Sequence, residues 1–329
     1  MAITKAGKEL KLAVARFPLM ALAGLSLLVA LWTGLARIGW AMPAPRLLPA
    51  GQHGAFMVAG FLGTLISVER AVALQANPNA PGRRALYYLP PLFAGLGSLA
   101  LLVGLPPWLG RGAIALGSAG LVLVFVVMVR LQADLAGFTM ALGALSWLGG
   151  NLLWLGGRPV GEAVPWWAGF LVLTIAGERL ELARVLRWGP RATRLFLAAT
   201  VLLVGGLLVS AVALRAGMVL AGAGLVALGL WLLRYDVARR TIRREGLTRF
   251  MAACLLPGYA WLLIGGALWL VYGGRYLAGP VYDAMHHAVF LGFVFSMIFG
   301  HAPVIIPSVL GRQVTYSPLF YGHLVLLHL

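Results

Sequence analysis

Runs of about twenty apolar residues alternate along the chain with short polar or basic interruptions, a spacing that suits helices crossing a hydrocarbon core. Ten such runs fall near 17–38, 51–74, 85–104, 110–130, 134–156, 164–186, 194–214, 216–234, 250–273 and 282–302. An eleventh starts near Tyr316 and is still apolar at the final HLVLLHL. That ending predicts a natural product that is longer or closes in an unordered tail. With 61% hydrophobic residues, 11% charged residues and a mean hydropathy of +0.92, a soluble fold of 329 residues could not enclose the apolar surface. The expected fold class is therefore an all-α polytopic membrane protein with about eleven transmembrane helices visible.

The formal net charge of +17 invites a nucleic-acid reading, so its distribution matters. With the N-terminus placed in the cytoplasm, only Arg37, Arg46, Arg111, Arg158, Arg215 and Arg275 fall outside, and the other 20 of the 26 basic residues fall inside. This is the asymmetry that orients membrane proteins. The basic segment RYDVARRTIRREGLTR reads as a charged inter-helix loop without a stacking face, and no nucleic-acid partner is expected. Cys254 is the sole cysteine, which excludes an internal disulfide, a CxxC pair and a CxxCH haem attachment. The basic MAITKAGKELK runs straight into a full-length span, unlike a cleaved signal peptide. The expected location is a bacterial-type cytoplasmic (inner) membrane, with membrane lipid as the surrounding partner.

A segment recurs three times: GFLGTLISVERAVAL at 60–74, GFLVLTIAGERLELA at 169–183 and GFVFSMIFGHA at 292–302. Each has Ile six residues after its first Gly, and Glu69, Glu178 or His301 at the ninth. These lie on the second, sixth and tenth spans, so one transmembrane domain, 1–329, divides into four-helix pseudo-repeats at 1–131, 132–244 and 245–329, the last incomplete. Many of the 43 glycines sit inside spans, where small residues let helices approach closely. Pro303 and Pro307 are expected to end or kink the tenth span.

Ionisable groups within a span are costly unless paired, so each is a candidate for chemistry. His53 opens the second span, and His286 and His287 open the tenth on the same side of the membrane. Imidazoles from different helices at one depth suit a bis-histidine haem, each giving one ring nitrogen to iron and donating from the other. His53 could equally be a satisfied interfacial histidine. His286 and His287 point about 100° apart on a helix, so one of them faces a given pocket. Met57 lies one turn from His53 and reads as packing. Asp283 could orient an imidazole or cap the tenth span.

Deeper in the membrane, His301, His323 and His328, with Glu69 and Glu178, could form a second haem or metal site. A His/His/carboxylate set suits copper, iron or zinc. The competing reading pairs the glutamates with Arg70, Arg179 and Arg184, with Glu181 three residues before Arg184.

His53, Gly54 and Met57 on the second span, and the histidine pair on the tenth, resemble the catalytic subunit of haem-copper oxidases and nitric oxide reductases. His287, Ala288, Gly292, Ser296 and Met297 are more similar to the His-Ala-x-x-x-Gly and Ser/Thr-Met pattern of the NnrS family, haem- and copper-containing membrane proteins of nitric oxide metabolism. The resemblance implies twelve helices, haem b with copper as a candidate second metal, nitric oxide or another small diatomic ligand, and an electron-donor protein as candidate partner. His53 and His287 would be axial ligands and His286 an additional ligand or hydrogen-bond partner; an oxidoreductase acting on nitric oxide is one candidate activity. The chain has no histidine between His53 and His286, so the oxidase copper site on the sixth and seventh helices is missing. The alternative class is a membrane transporter, or a structural subunit of a larger membrane complex, without a redox centre.

The orientation is tested by fusion. A reporter active only in the cytoplasm should work when fused ahead of Met1 and fail when fused after Gly104; the reverse pattern would overturn the assignment.

Overall fold

The computed structural model describes residues 2–41, 50–183, 188–310 and 314–329, with side chains described for these except 2–15, 50 and 308–310. Arg46, Arg184, Arg187 and Arg312, and with them the expected pairing of Glu181 with Arg184, lie outside the described residues, as do the side chains of Lys5, Lys8 and Lys11.

Among the described residues, ten helices are long and apolar enough to cross a membrane. They are α1 (Ala2–Arg37), α2 (His53–Ala76), α3 (Arg84–Leu102), α4 (Pro107–Leu131), α5 (Leu135–Leu155), α6 (Val160–Leu182), α7 (Pro190–Ser210), α8 (Leu214–Tyr235), α9 (Gly246–Tyr272) and α10 (Pro280–Pro307). The helical segment α11 (Phe320–His328) follows. The described residues contain no strand. The protein is an all-α, multi-pass integral membrane protein. Helix is the form that satisfies every backbone amide within its own segment, which lipid demands. Leucines and valines such as Leu116, Leu123, Val201, Leu208 and Leu230 point outward, as a lipid-facing surface requires.

Two boundaries differ from the apolar runs. The eleventh run, expected from near Tyr316, becomes helical at Phe320. Of the two effects expected of the prolines, ending the tenth helix is not seen: helix continues through both Pro303 and Pro307. Each proline removes one amide from the ladder, a loss that a helix tolerates when neighbours accommodate the freed carbonyl.

Two departures from α geometry stand out. Phe56–Leu62 in α2 and Ala288–Phe295 in α10 are π-helical, with hydrogen bonds to the fifth residue back. They enclose the Gly60-Phe61 and Gly292-Phe293 starts of the first and third recurring segments. The second copy, in α6, is α-helical throughout.

The chain divides into two compact units: Met1–Gly137 with Trp147–Trp167 and Ser308–Arg312, and Phe138–Ser146 with Ala168–Pro307 and Gln313–Leu329. In the first, α3 and α4 meet through glycines; a Cβ on Gly97 would stand 2.6 Å from the Gly110 carbonyl oxygen. Gly63 of α2 makes room for the indole of Trp147, which would lie 2.2 Å from an added Cβ. Trp167 donates to Asn151 at 2.9 Å and meets Trp154 edge-on, while the Arg111 guanidinium covers the Trp154 ring at 4.9 Å. Asp134 caps α5 by accepting from the Gly137 amide at 2.7 Å.

In the second unit α7 and α8 form an antiparallel hairpin whose seam is glycine. A Cβ on Gly206 would come within 2.3 Å of the Ala221 nitrogen, and one on Gly224 within 2.4 Å of the Leu203 nitrogen. Backbone cannot move aside as a side-chain tip can, so these positions fix the helix separation. Gly222 of α8 and Gly266 of α9 give those two helices the same close approach.

Gly206→Ala and Gly224→Ala should each destabilise the protein by about 1–3 kcal/mol, the usual range for overpacking. The readout is a lower thermal midpoint in detergent. Gly205→Ala, where an added Cβ meets nothing within 4 Å, should leave the midpoint nearly unchanged.

Candidate functional site

His53 stands at the first residue of α2, just ahead of the π-helical segment. Its Nδ1 lies 2.7 Å from the carbonyl oxygen of Ala30 on α1. A carbonyl only accepts, so Nδ1 carries the proton and the lone pair sits on Nε2. The ring rests against the main chain of Gly34, where an added Cβ would come within 2.9 Å of Nδ1. Met57, inside the π segment, is buried as packing.

His287 repeats the arrangement in the second unit. It is the last residue before the π segment of α10, and its Nδ1 lies 2.8 Å from the carbonyl oxygen of Asp283, one turn back. The acceptor is thus the backbone of Asp283. The helix N-cap is Gly279, so the Asp283 carboxylate is not the cap. His286 turns to a different environment, buried among the rings of Tyr282 at 4.3 Å and Trp269 at 5.5 Å.

His301 sits in the most highly charged buried place among the described residues. Arg179 of α6, 3% exposed, makes a two-pronged ion pair with Asp236 at the end of α8, with Nε–Oδ2 and Nη2–Oδ1 both 2.9 Å. Arg179 Nη1 donates to His301 Nε2 at 3.3 Å, and His301 Nδ1 donates to the Met297 carbonyl at 2.7 Å. The two bonds agree on one neutral tautomer. The Ala238 amide donates to Asp236 Oδ1 at 2.7 Å, and the buried phenol of Tyr259 adjoins the pair. Side chains from α6, α9, α10 and the end of α8 therefore converge on one guanidinium.

The π segment also bears on how His287 and His301 relate. A straight α-helix would put them on nearly the same face, but every extra residue in a π turn sets back the downstream part by about 100°. The two imidazoles accordingly meet different partners. His323 meets Phe299 edge-on at 4.5 Å and is further surrounded by Phe250 and Phe320. His328 Nδ1 accepts from the Trp261 indole at 3.0 Å, and its Nε2 lies 3.5 Å from the Ser296 hydroxyl. Its tautomer is the opposite of that of His53 and His287. Glu69 pairs with Arg70 at 2.7 Å, as its neighbour in sequence suggested, whereas the Arg beside Glu178 turns to Asp236. Among the described residues, no three His, Cys, Asp or Glu side chains gather as a metal-holding group.

Asp236 and Tyr259 escape a reading by sequence. Asp236 is a lone carboxylate in a run of arginines, and sequence neighbourhood assigns it to them. Its one distinguishing signal is its place directly after the last turn of α8. Tyr259 follows a proline inside a span and looks like packing.

The pattern of a family described as a domain of unknown function, DUF8744, matches residues 16–329, and the chain belongs to that family. No curated protein and no solved structure matches the chain significantly.

Removing one partner of a buried ion pair strands the other. Asp236→Ala should destabilise the protein by about 3–5 kcal/mol. Arg179→Met combined with Asp236→Leu should lose much less than the two single substitutions added together, measured by denaturation in detergent.

Proposed function

We propose that this DUF8744 member is a haem-binding integral membrane protein that takes part in nitric oxide response or detoxification, with His53 and His287 each serving as an axial ligand. One repeated observation carries the reading. Each histidine lies within one turn ahead of a π-helical segment, and each gives its Nδ1 proton to a main-chain carbonyl. π segments recur at functional sites because they break the regular ladder locally. A backbone acceptor on Nδ1 fixes the ring and raises the basicity of Nε2, the nitrogen a metal would take.

The donor set suits haem b, which binds without covalent attachment; the single cysteine, Cys254, is buried within α9. Bound haem would supply one-electron chemistry and an iron that takes a diatomic ligand. The chain's contribution is orientation. Ala30 and Gly34 hold the His53 ring, the Asp283 carbonyl holds that of His287, and His286 would stand beside it in its aromatic surroundings as the additional ligand or hydrogen-bond partner. Copper, which the resemblance to the NnrS family suggests, finds no three-ligand group among the described residues, so the proposal rests on haem. A second reading, a transporter or structural subunit, draws on the buried Arg179–Asp236–His301 cluster, because charged groups inside a bundle also line transport paths.

A visible spectrum of the detergent-purified protein separates the two. Haem binding predicts a Soret band, lost or strongly reduced in His53→Ala and His287→Ala and retained in His328→Ala. Gly34→Ala, which crowds the ring without removing it, should shift the band. Absence of a Soret band and of iron, after expression with added haem, would leave the transporter reading.

A further inference from the structure

The second unit contains a cleft of about 780 Å³ where α8 gives way to the basic loop. Arg234, Arg239, Arg240, Arg243 and Arg244 all line it and all are exposed. Among the described residues Asp236 is the one carboxylate in the lining, and it is already committed: both its oxygens face Arg179, and one of them also accepts from the Ala238 amide. The cleft therefore keeps the positive charge of five guanidiniums. Arg239 spends one nitrogen on the Arg234 carbonyl. Among the described residues, Arg240, Arg243 and Arg244 form neither an ion pair nor a side-chain hydrogen bond. Like charges gathered around one cavity repel unless an anion lies between them.

Two further features point the same way. Gly189 and Ala192, at the start of α7, line the cleft, so the positive end of a 21-residue helix opens into it. Trp188 forms an aromatic wall, with its indole donating to the Tyr235 carbonyl at 3.4 Å and its ring against Trp231. Guanidiniums on one side and indole and phenol rings on the other suit a headgroup carried on an apolar tail, and guanidiniums match phosphate oxygens two at a time. A loop that was merely basic for orientation would need charge but no cavity and no helix N-terminus.

We propose that this cleft binds a phosphate group, either the phosphodiester of an anionic lipid headgroup or a soluble phosphate. The site is separate from the histidines of the haem reading, and its test does not depend on haem.

The test compares the full chain with Arg240→Gln/Arg243→Gln/Arg244→Gln, and with Arg83→Gln/Arg84→Gln/Arg130→Gln as a control of equal charge change at exposed positions elsewhere. In the lipid arm, protein in neutral micelles doped with phosphatidylglycerol or phosphatidylcholine is repurified and its retained lipid counted by mass spectrometry. In the soluble arm, inorganic pyrophosphate is titrated calorimetrically. Retention of phosphatidylglycerol that falls at least about tenfold in the cleft variant, but not in the control, identifies the lipid source. A similar rise in the pyrophosphate Kd identifies the soluble one. The single Arg243→Gln variant, at an exposed position, gives the same comparison should the triple variant fail to fold. The proposal is overturned if neither probe distinguishes the cleft variants from the parent, if the control loses as much, or if phosphatidylcholine is retained equally.

Discussion

A backbone amide or carbonyl inside a bilayer has no water to turn to, and leaving one unpaired costs several kcal/mol. Helices α1 to α10 meet that demand internally, and several of the hydroxyls inside them follow suit. Ser98, Ser118, Ser146, Ser210 and Ser296 each donate to a carbonyl three or four residues back in their own helix. Polar side chains of this sort are made harmless without leaving their segment, which frees the helix contacts to be set by shape. Glycine supplies that shape along the α3–α4 and α7–α8 seams.

Against this background, other polar groups are resolved only by reaching to another helix. Arg179 reaches to a different helix end for Asp236 and to α10 for His301. His53 reaches to α1. The π segments in α2 and α10 relax the regular ladder itself. The π segments overlap the starts of the first and third recurring segments, and Arg179 and His301 lie in the second and third. The basic cleft is a third kind of departure, because its charge is balanced neither within a helix nor across helices.

Much of the architecture is legible in the residues alone, because hydropathy and helix length are coupled directly in lipid. Ten of the expected runs appear as helices with ends shifted by a few residues. The continuation of α10 through Pro303 and Pro307 was not legible, since proline's effect depends on what surrounds the freed carbonyl. For the site, His53 and His287 stand out as imidazoles in apolar runs, and the pairing of Glu69 with Arg70 follows from adjacency. The partner of Arg179 does not. Asp236 lies 57 residues away in sequence, a separation that local charge patterning cannot see. Nor does any residue pattern announce a π turn, which depends on whether one residue more is accommodated than an α-helix allows.

The support beneath His53 is main chain: the carbonyl of Ala30 and the bare Cα of Gly34. A ring seated on backbone is indifferent to nearly every side chain that α1 could carry. Mutational drift along that helix can therefore alter its lipid-facing surface while the imidazole keeps its place, with residue 34 as the position where the ring itself leaves no room for a side chain.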